Sequence, residues 1–136
     1  MEVSSRPAGF GVPLPGFTNG ILPSACPTRT VLDHITSKWG VLILSALSEC
    51  SRRWGELRRV VEGVSEKMLA QTLRTLEADG FVLRDAHPTI PPRVEYSLTP
   101  RGVELADHLR PLMQWIADNA DAILEGQDAQ GRRVAS

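Results

Sequence analysis

A chain of 136 residues, 42 % hydrophobic and 23 % charged, can build one domain with a real core and is too short for two full ones. Its formal net charge of −1 does not announce a nucleic-acid binder, and its two cysteines are too few for a disulfide framework or a four-ligand structural zinc site. No apolar run approaches the roughly 20 residues that span a bilayer, and the first residues lack a signal peptide's apolar stretch. A cytoplasmic protein without a membrane partner is the expectation.

Residues 1–25 carry Pro7, Pro13, Pro15, Pro23 and four glycines, a density of breakers that no helix or long strand survives. Phe10, Val12, Leu14, Phe17, Ile21 and Leu22 make the segment too apolar for a solvated tail. An extended arm packed on its own or a partner domain is expected. Cys26-Pro27 then opens a helix, with proline in a tolerated first-turn position and Val31, Leu32 and Ile35 on its apolar face. Lys38-Trp39-Gly40 reads as an interruption, 41–47 as a short buried helix, and 48–53 as a turn.

A third helix is expected over 54–61, with Leu57, Val60 and Val61 inward and Gly63 beyond its end. Ser65 is a good N-cap for a fourth over 66–79, stopped by Gly80. Residues 81–83 and 94–98 read as strands joined by a stiff loop, His87-Pro88-Thr89-Ile90-Pro91-Pro92. Thr99-Pro100 caps a long last helix reaching to Leu124, with Pro111 expected to bend it and a frayed polar tail over 126–136. Helices followed by a two-stranded wing make a mainly α fold with a small β-wing. This is a winged helix-turn-helix, here with an extended C-terminal dimerisation helix, and residues 26–125 form its domain.

On a helical wheel of the fourth helix, Leu69, Leu73 and Leu76 form the buried stripe. Lys67, Gln71, Arg74 and Ala78 fall on the opposite side, a row without a carboxylate. Lys and Arg suit phosphates or guanine edges, and Gln can pair bidentately with adenine. Between Arg52 and Arg93 eight basic residues face six acidic ones, whereas from Gly102 onward three basic face six acidic. A basic middle suits a surface turned to DNA. Arg53, Arg58, Ser65, Lys67, Gln71, Arg74, Arg84 and Arg93 are therefore the expected contacts to double-stranded DNA. The bland alternatives are a solvated helix face, and an exposed ion pair of Arg93 with Glu95 or Asp85.

Several blocks together resemble the HxlR family of winged helix regulators: Cys26-Pro27, Lys38-Trp39, Trp54-Gly55-Glu56-Leu57-Arg58-Arg59, Ser65-Glu66-Lys67-Met68-Leu69, Leu76-Glu77-Ala78-Asp79-Gly80 and Pro91-Pro92-Arg93-Val94-Glu95-Tyr96-Ser97-Leu98-Thr99. The resemblance covers about residues 25–120 in register. Trp54 stands where the family usually has Phe, and the arm before Cys26 is longer than usual. It implies a dimeric transcription factor, often a repressor, on a palindromic operator. It also implies that a cysteine at the position of Cys26 can sense electrophiles or oxidants. A helix start favours an anionic sulfur, and Arg29 is one turn on. The alternative is that Cys26 packs the dimer seam; Cys50 is the weaker candidate, as a disulfide partner. An electrophile, oxidant or ligand is the expected inducer.

Val31, Ile35, Leu105, Leu109, Leu112, Ile116 and Ile123 form the expected homodimer surface, since the last helix carries more apolar residues than one small domain can cover. The alternative is a helix folded back wholly on its own core. His34, His87 and His108 have no metal-ligand spacing, and no phosphate loop or nucleophile elbow occurs, so no metal, cofactor or catalytic residue is expected. A winged helix serving only protein interaction is the competing reading, and a thiol enzyme using Cys26 and Cys50 a weaker one.

Overall fold

The computed structural model describes residues 23, 24 and 26–135, so the expected N-terminal arm lies almost wholly outside the described residues. The elements run α1 (Pro27–Thr36), α2 (Lys38–Glu49), β1 (Arg52–Arg53), α3 (Trp54–Val60), α4 (Glu66–Ala78), β2 (Val82–His87), β3 (Arg93–Leu98) and α5 (Pro100–Ala135). The sheet is antiparallel in the order β1-β3-β2. The fold is a winged helix-turn-helix with a long C-terminal helix. Among the described residues no helix is long and apolar enough to cross a membrane.

Ile43, Leu44, Leu57, Leu69 and Leu76 are fully buried where α2, α3 and α4 meet. Phe81, Val82 and Tyr96 close this core from the wing. At ~1.5–3 kcal/mol for each large apolar side chain taken out of water, this cluster supplies the main force holding the helices together.

The break between α1 and α2 falls at Ser37 alone. Its backbone is extended (φ −60°, ψ 149°), and its hydroxyl accepts from Gly40 N at 3.1 Å. Lys38-Trp39-Gly40 is thus the first turn of α2 rather than an interruption, because a serine cap restarts the helix at once. The expected turn over 48–53 contains β1, whose Arg52 pairs with Tyr96 and Arg53 with Glu95. Arg52 Nε also donates to Ala46 O at 2.9 Å, closing the end of α2. α3 stops at Val60, which is 47 % exposed rather than inward. The chain leaves the helix at Val61 (φ −97°, ψ 75°), and Val61 turns into the core instead.

α4 ends in two hydrogen bonds of a Schellman motif, Gly80 N to Glu77 O at 3.0 Å and Phe81 N to Leu76 O at 2.9 Å. The motif needs a left-handed residue, and Gly80 supplies it at φ +84°. Phe81 is buried ahead of the strand, and β2 runs on to His87, which the sequence pattern places in the loop. Thr99 caps α5, its hydroxyl donating to Gly80 O at 2.5 Å and accepting from Gly102 N at 3.0 Å.

α5 spans 36 residues with Pro111 inside it. Its backbone stays helical to Ala135, where a frayed tail is expected beyond residue 125. At 1.5 Å per residue it is about 54 Å long, and of its apolar residues Leu105 and Leu109 pack on the core. The expected dimer row divides accordingly. Leu105, Leu109 and Ile35 are partly buried against the chain's own core. Leu112, Trp115, Ile116, Ile123 and Leu124 are 42–57 % exposed, and Val31 and Leu32 on α1 are also exposed. An open cleft of about 900 Å³ lies between the end of α2 and the middle of α5, lined by Ser48, Leu109, Met113 and Gln114 among others.

Gly102 sets how closely α5 approaches the wing. A Cβ there would overlap the carbonyl oxygen of Phe81, which is backbone and cannot swing away, and would lie 3.1 Å from Leu98 Cδ2. Gly102→Ala is expected to lower stability by about 1–3 kcal/mol in urea denaturation. Gly126→Ala, with nothing within 4 Å, should not.

Candidate nucleic-acid interface

Two local devices aim α4. Ser65 accepts from Met68 N at 3.1 Å and so fixes the first turn. The buried stripe then fixes rotation about the axis, and it is as expected from the wheel: Leu69, Leu73 and Leu76 are at most 3 % exposed. Thr72 joins them, its hydroxyl satisfied by Met68 O at 2.7 Å. Lys67, Gln71, Arg74 and Ala78 all lie on the exposed side.

Among the described residues, no ion pair involves Lys67, Arg74 or Arg84. Their charges face solvent. Arg58 Nη1 lies 3.9 Å from Glu66 Oε2, across the turn between α3 and α4. Arg93 Nη2 lies 3.8 Å from Glu95 Oε2, the ion pair that the sequence offered as the bland reading of that residue. At those lengths and with these exposed groups, each pair holds its arginine weakly and can yield to a phosphate. Arg53 is exposed, and its backbone N donates to Glu56 Oε1 at 2.9 Å, fixing the entry to α3.

The wing carries Arg84 on β2, opposite Tyr96, and Arg93 at the start of β3, opposite His87. Its tip is held by its own hydrogen bonds, Thr89 N to His87 O at 2.8 Å and Thr89 Oγ1 to Pro91 O at 2.7 Å. Ile90, between them, is fully exposed. The helix-turn-helix row and the wing are one assembly, because β1 leads straight into α3 and pairs with β3. An exposed row of long donors with the wing arginines Arg84 and Arg93 beside it has the chemistry to meet a polyanion and to read base edges.

Cys26 is the N-cap of α1, and its sulfur accepts from Arg29 N at 3.4 Å. It is half-buried, whereas Cys50, the C-cap of α2, is exposed. One contact has no signal in the sequence: His34 Nδ1 on α1 meets Asp79 Oδ2 at the end of α4, at 2.7 Å. Residues 45 apart carry no pattern that would have paired them.

The model of the HxlR-like helix-turn-helix family matches residues 34–123. The HTH-type transcriptional regulator YtfH of Escherichia coli (strain K12) is 53 % identical over 103 residues, covering 76 % of this chain and 82 % of that protein. Among solved structures, the ytfH transcriptional regulator of Salmonella typhimurium superposes with a TM-score of 0.74 at 49 % identity, over 79 % of this chain and 96 % of that one. The redox regulator HypR in its oxidized form gives a TM-score of 0.65 at 36 % identity, over 69 % of this chain and 97 % of that one. With the wing and the carboxylate-free row of α4 in place, the chain belongs to the HxlR-like helix-turn-helix family of transcriptional regulators.

Proposed function

We propose that this regulator represses transcription by binding a palindromic operator as a homodimer, with α4 in the major groove and the wing against the neighbouring backbone. The observation that carries the reading is the row Lys67, Gln71 and Arg74, exposed on a helix whose other face is locked in the core. The wing arginines Arg84 and Arg93 extend the positive surface, and Arg53 and Arg58 flank it from α3. The repressor role rests on the family resemblance.

Selection of bound sequences from random duplex DNA, followed by titration at two salt concentrations, tests it. Arg74→Ala and Gln71→Ala should each weaken operator binding by about 1–3 kcal/mol and relax selectivity at one position. Arg93→Ala should weaken binding to all sequences evenly and flatten the salt slope by about one unit. Parent-like binding by all three variants would remove α4 and the wing from the interface.

The exposed stripe Leu112, Ile116 and Ile123, with Trp115 and Leu124 beside it and Val31 on α1, supports the dimer. A palindromic site requires two recognition helices about 34 Å apart on one DNA face, and a second copy docked on this stripe is the proposed source of the second. Light scattering at micromolar concentration should give twice the chain mass, and Ile116→Glu should shift it to the monomer and abolish operator binding. A parent that scatters as a monomer would overturn this arrangement.

Cys26 is the proposed redox-responsive residue. It caps the helix that carries Val31, and the family relative HypR is a redox regulator. Modification there would disturb the N-terminal turn of α1 beside the proposed subunit seam. Diamide, a quinone or peroxide should release the operator, with reductant reversing the loss when the product is a disulfide or sulfenic acid. Cys26→Ser should bind the operator and ignore the oxidant, and Cys50→Ser should do so only if the two thiols pair. An oxidant response that survives in Cys26→Ser would assign sensing elsewhere.

A further inference from the structure

The end of the recognition helix is held from outside as well as by its own backbone. His34 Nδ1, in the last turn of α1, lies 2.7 Å from Asp79 Oδ2, and the side chains are only 34 % and 19 % exposed. A carboxylate offers acceptors only, so Nδ1 carries the proton and donates. Asp79 is the C-cap of α4, where a negative charge faces the negative end of the helix dipole. It gains nothing from its own helix at that position. Its partner on α1 is what offsets the cost, and its carbonyl oxygen is held in turn by Arg101 Nη1 of α5 at 3.0 Å.

Among the described residues, α1 buries little of its surface. None of its residues is buried, and Ile35 is only partly so. Between α1 and α4 lies a narrow cleft of about 170 Å³, with Asp33, His34 and Ser37 on one wall and Met68, Gln71, Thr72 and Thr75 on the other. On this side of the helix pair the His34–Asp79 hydrogen bond is a directed polar tie between them. Gln71 belongs both to this cleft and to the exposed row of α4.

We infer that His34 is a positioning residue for DNA recognition: its hydrogen bond to Asp79 fixes α1 against the exit of α4 and thereby sets the pose of Gln71 and Arg74. The inference rests on the DNA reading above. Loss of the bond leaves every charge of the row in place, so attraction to phosphates persists while alignment to base edges is lost. Specific and nonspecific binding should then separate.

The test uses the full chain, its selected operator and a random duplex of equal length at one salt concentration. His34→Ala should lose about tenfold on the operator and under about twofold on random DNA. His34→Asn, whose amide can stand near the place of Nδ1, should recover to within about threefold of the parent. Asp79→Ala removes a negative charge and raises random binding, so the operator-to-random ratio is the quantity read. In the double variant His34→Ala/Asp79→Ala that ratio should fall no further than in either single one. If His34→Ala fails to fold, His34→Leu, which keeps bulk and drops the donor, is read in the same way. A parent-like ratio, an equal loss on both DNAs, or additive losses in the double variant would each overturn the inference. A parent that enriches no sequence overturns the DNA reading and this one with it, whereas a selective parent with an indifferent His34→Ala overturns this one alone.

Discussion

The burial of Leu69, Leu73 and Leu76 is the constraint on which the rest depends. Three leucines within about 60° of one another on a helix of 3.6 residues per turn leave no freedom of rotation about its axis. Whatever stands opposite them is exposed by necessity, and here that is Lys67, Gln71, Arg74 and Ala78. The row is not held in place by contacts of its own. It inherits its orientation from apolar groups on the far side of the helix, so its polar ends stay available to a partner.

The same economy appears at the end of α4. Gly80 turns the chain into the wing, Thr99 binds Gly80 O and starts α5, and Gly102 lets α5 approach Phe81 O. Within a few residues α4, the wing and the long helix are tied to one junction. His34 adds α1 to it through Asp79. A displacement of either outer helix therefore reaches α4 through the junction at its end.

Much of this was legible in the sequence because it is local and periodic. Ser65 and Gly80 bracket α4, and the leucine spacing gives both its face and its length. β1 was not legible, since a strand of two residues has no alternation to detect and exists only by pairing with β3. The restart of α2 at Lys38 was hidden by Gly40, which by composition alone looks like a break. The apolar row of α5 was visible as one face but not as two territories. Helical spacing identifies which residues share a face, and says nothing about where the underlying domain stops. Leu105 and Leu109 lie over the core, and Leu112 is the first of the exposed stripe. Pairs such as His34 with Asp79 lie beyond any pattern, because only the folded chain brings them together.

The two-residue strand Arg52–Arg53 has a mechanical consequence. By pairing with β3 just before α3 begins, it joins the wing to the helix-turn-helix at its base and removes the hinge that a plain loop would have left there. If α4 and the wing both contact DNA, as proposed, a stiff seam between them transfers the work of fitting to the other molecule. In that proposed complex, a duplex whose groove width does not match the span from α4 to the wing would have to bend or narrow to comply. The energy of that deformation varies with base-pair steps that no side chain touches. In the proposed complex, stiffness at this one seam would be a form of sequence discrimination in its own right.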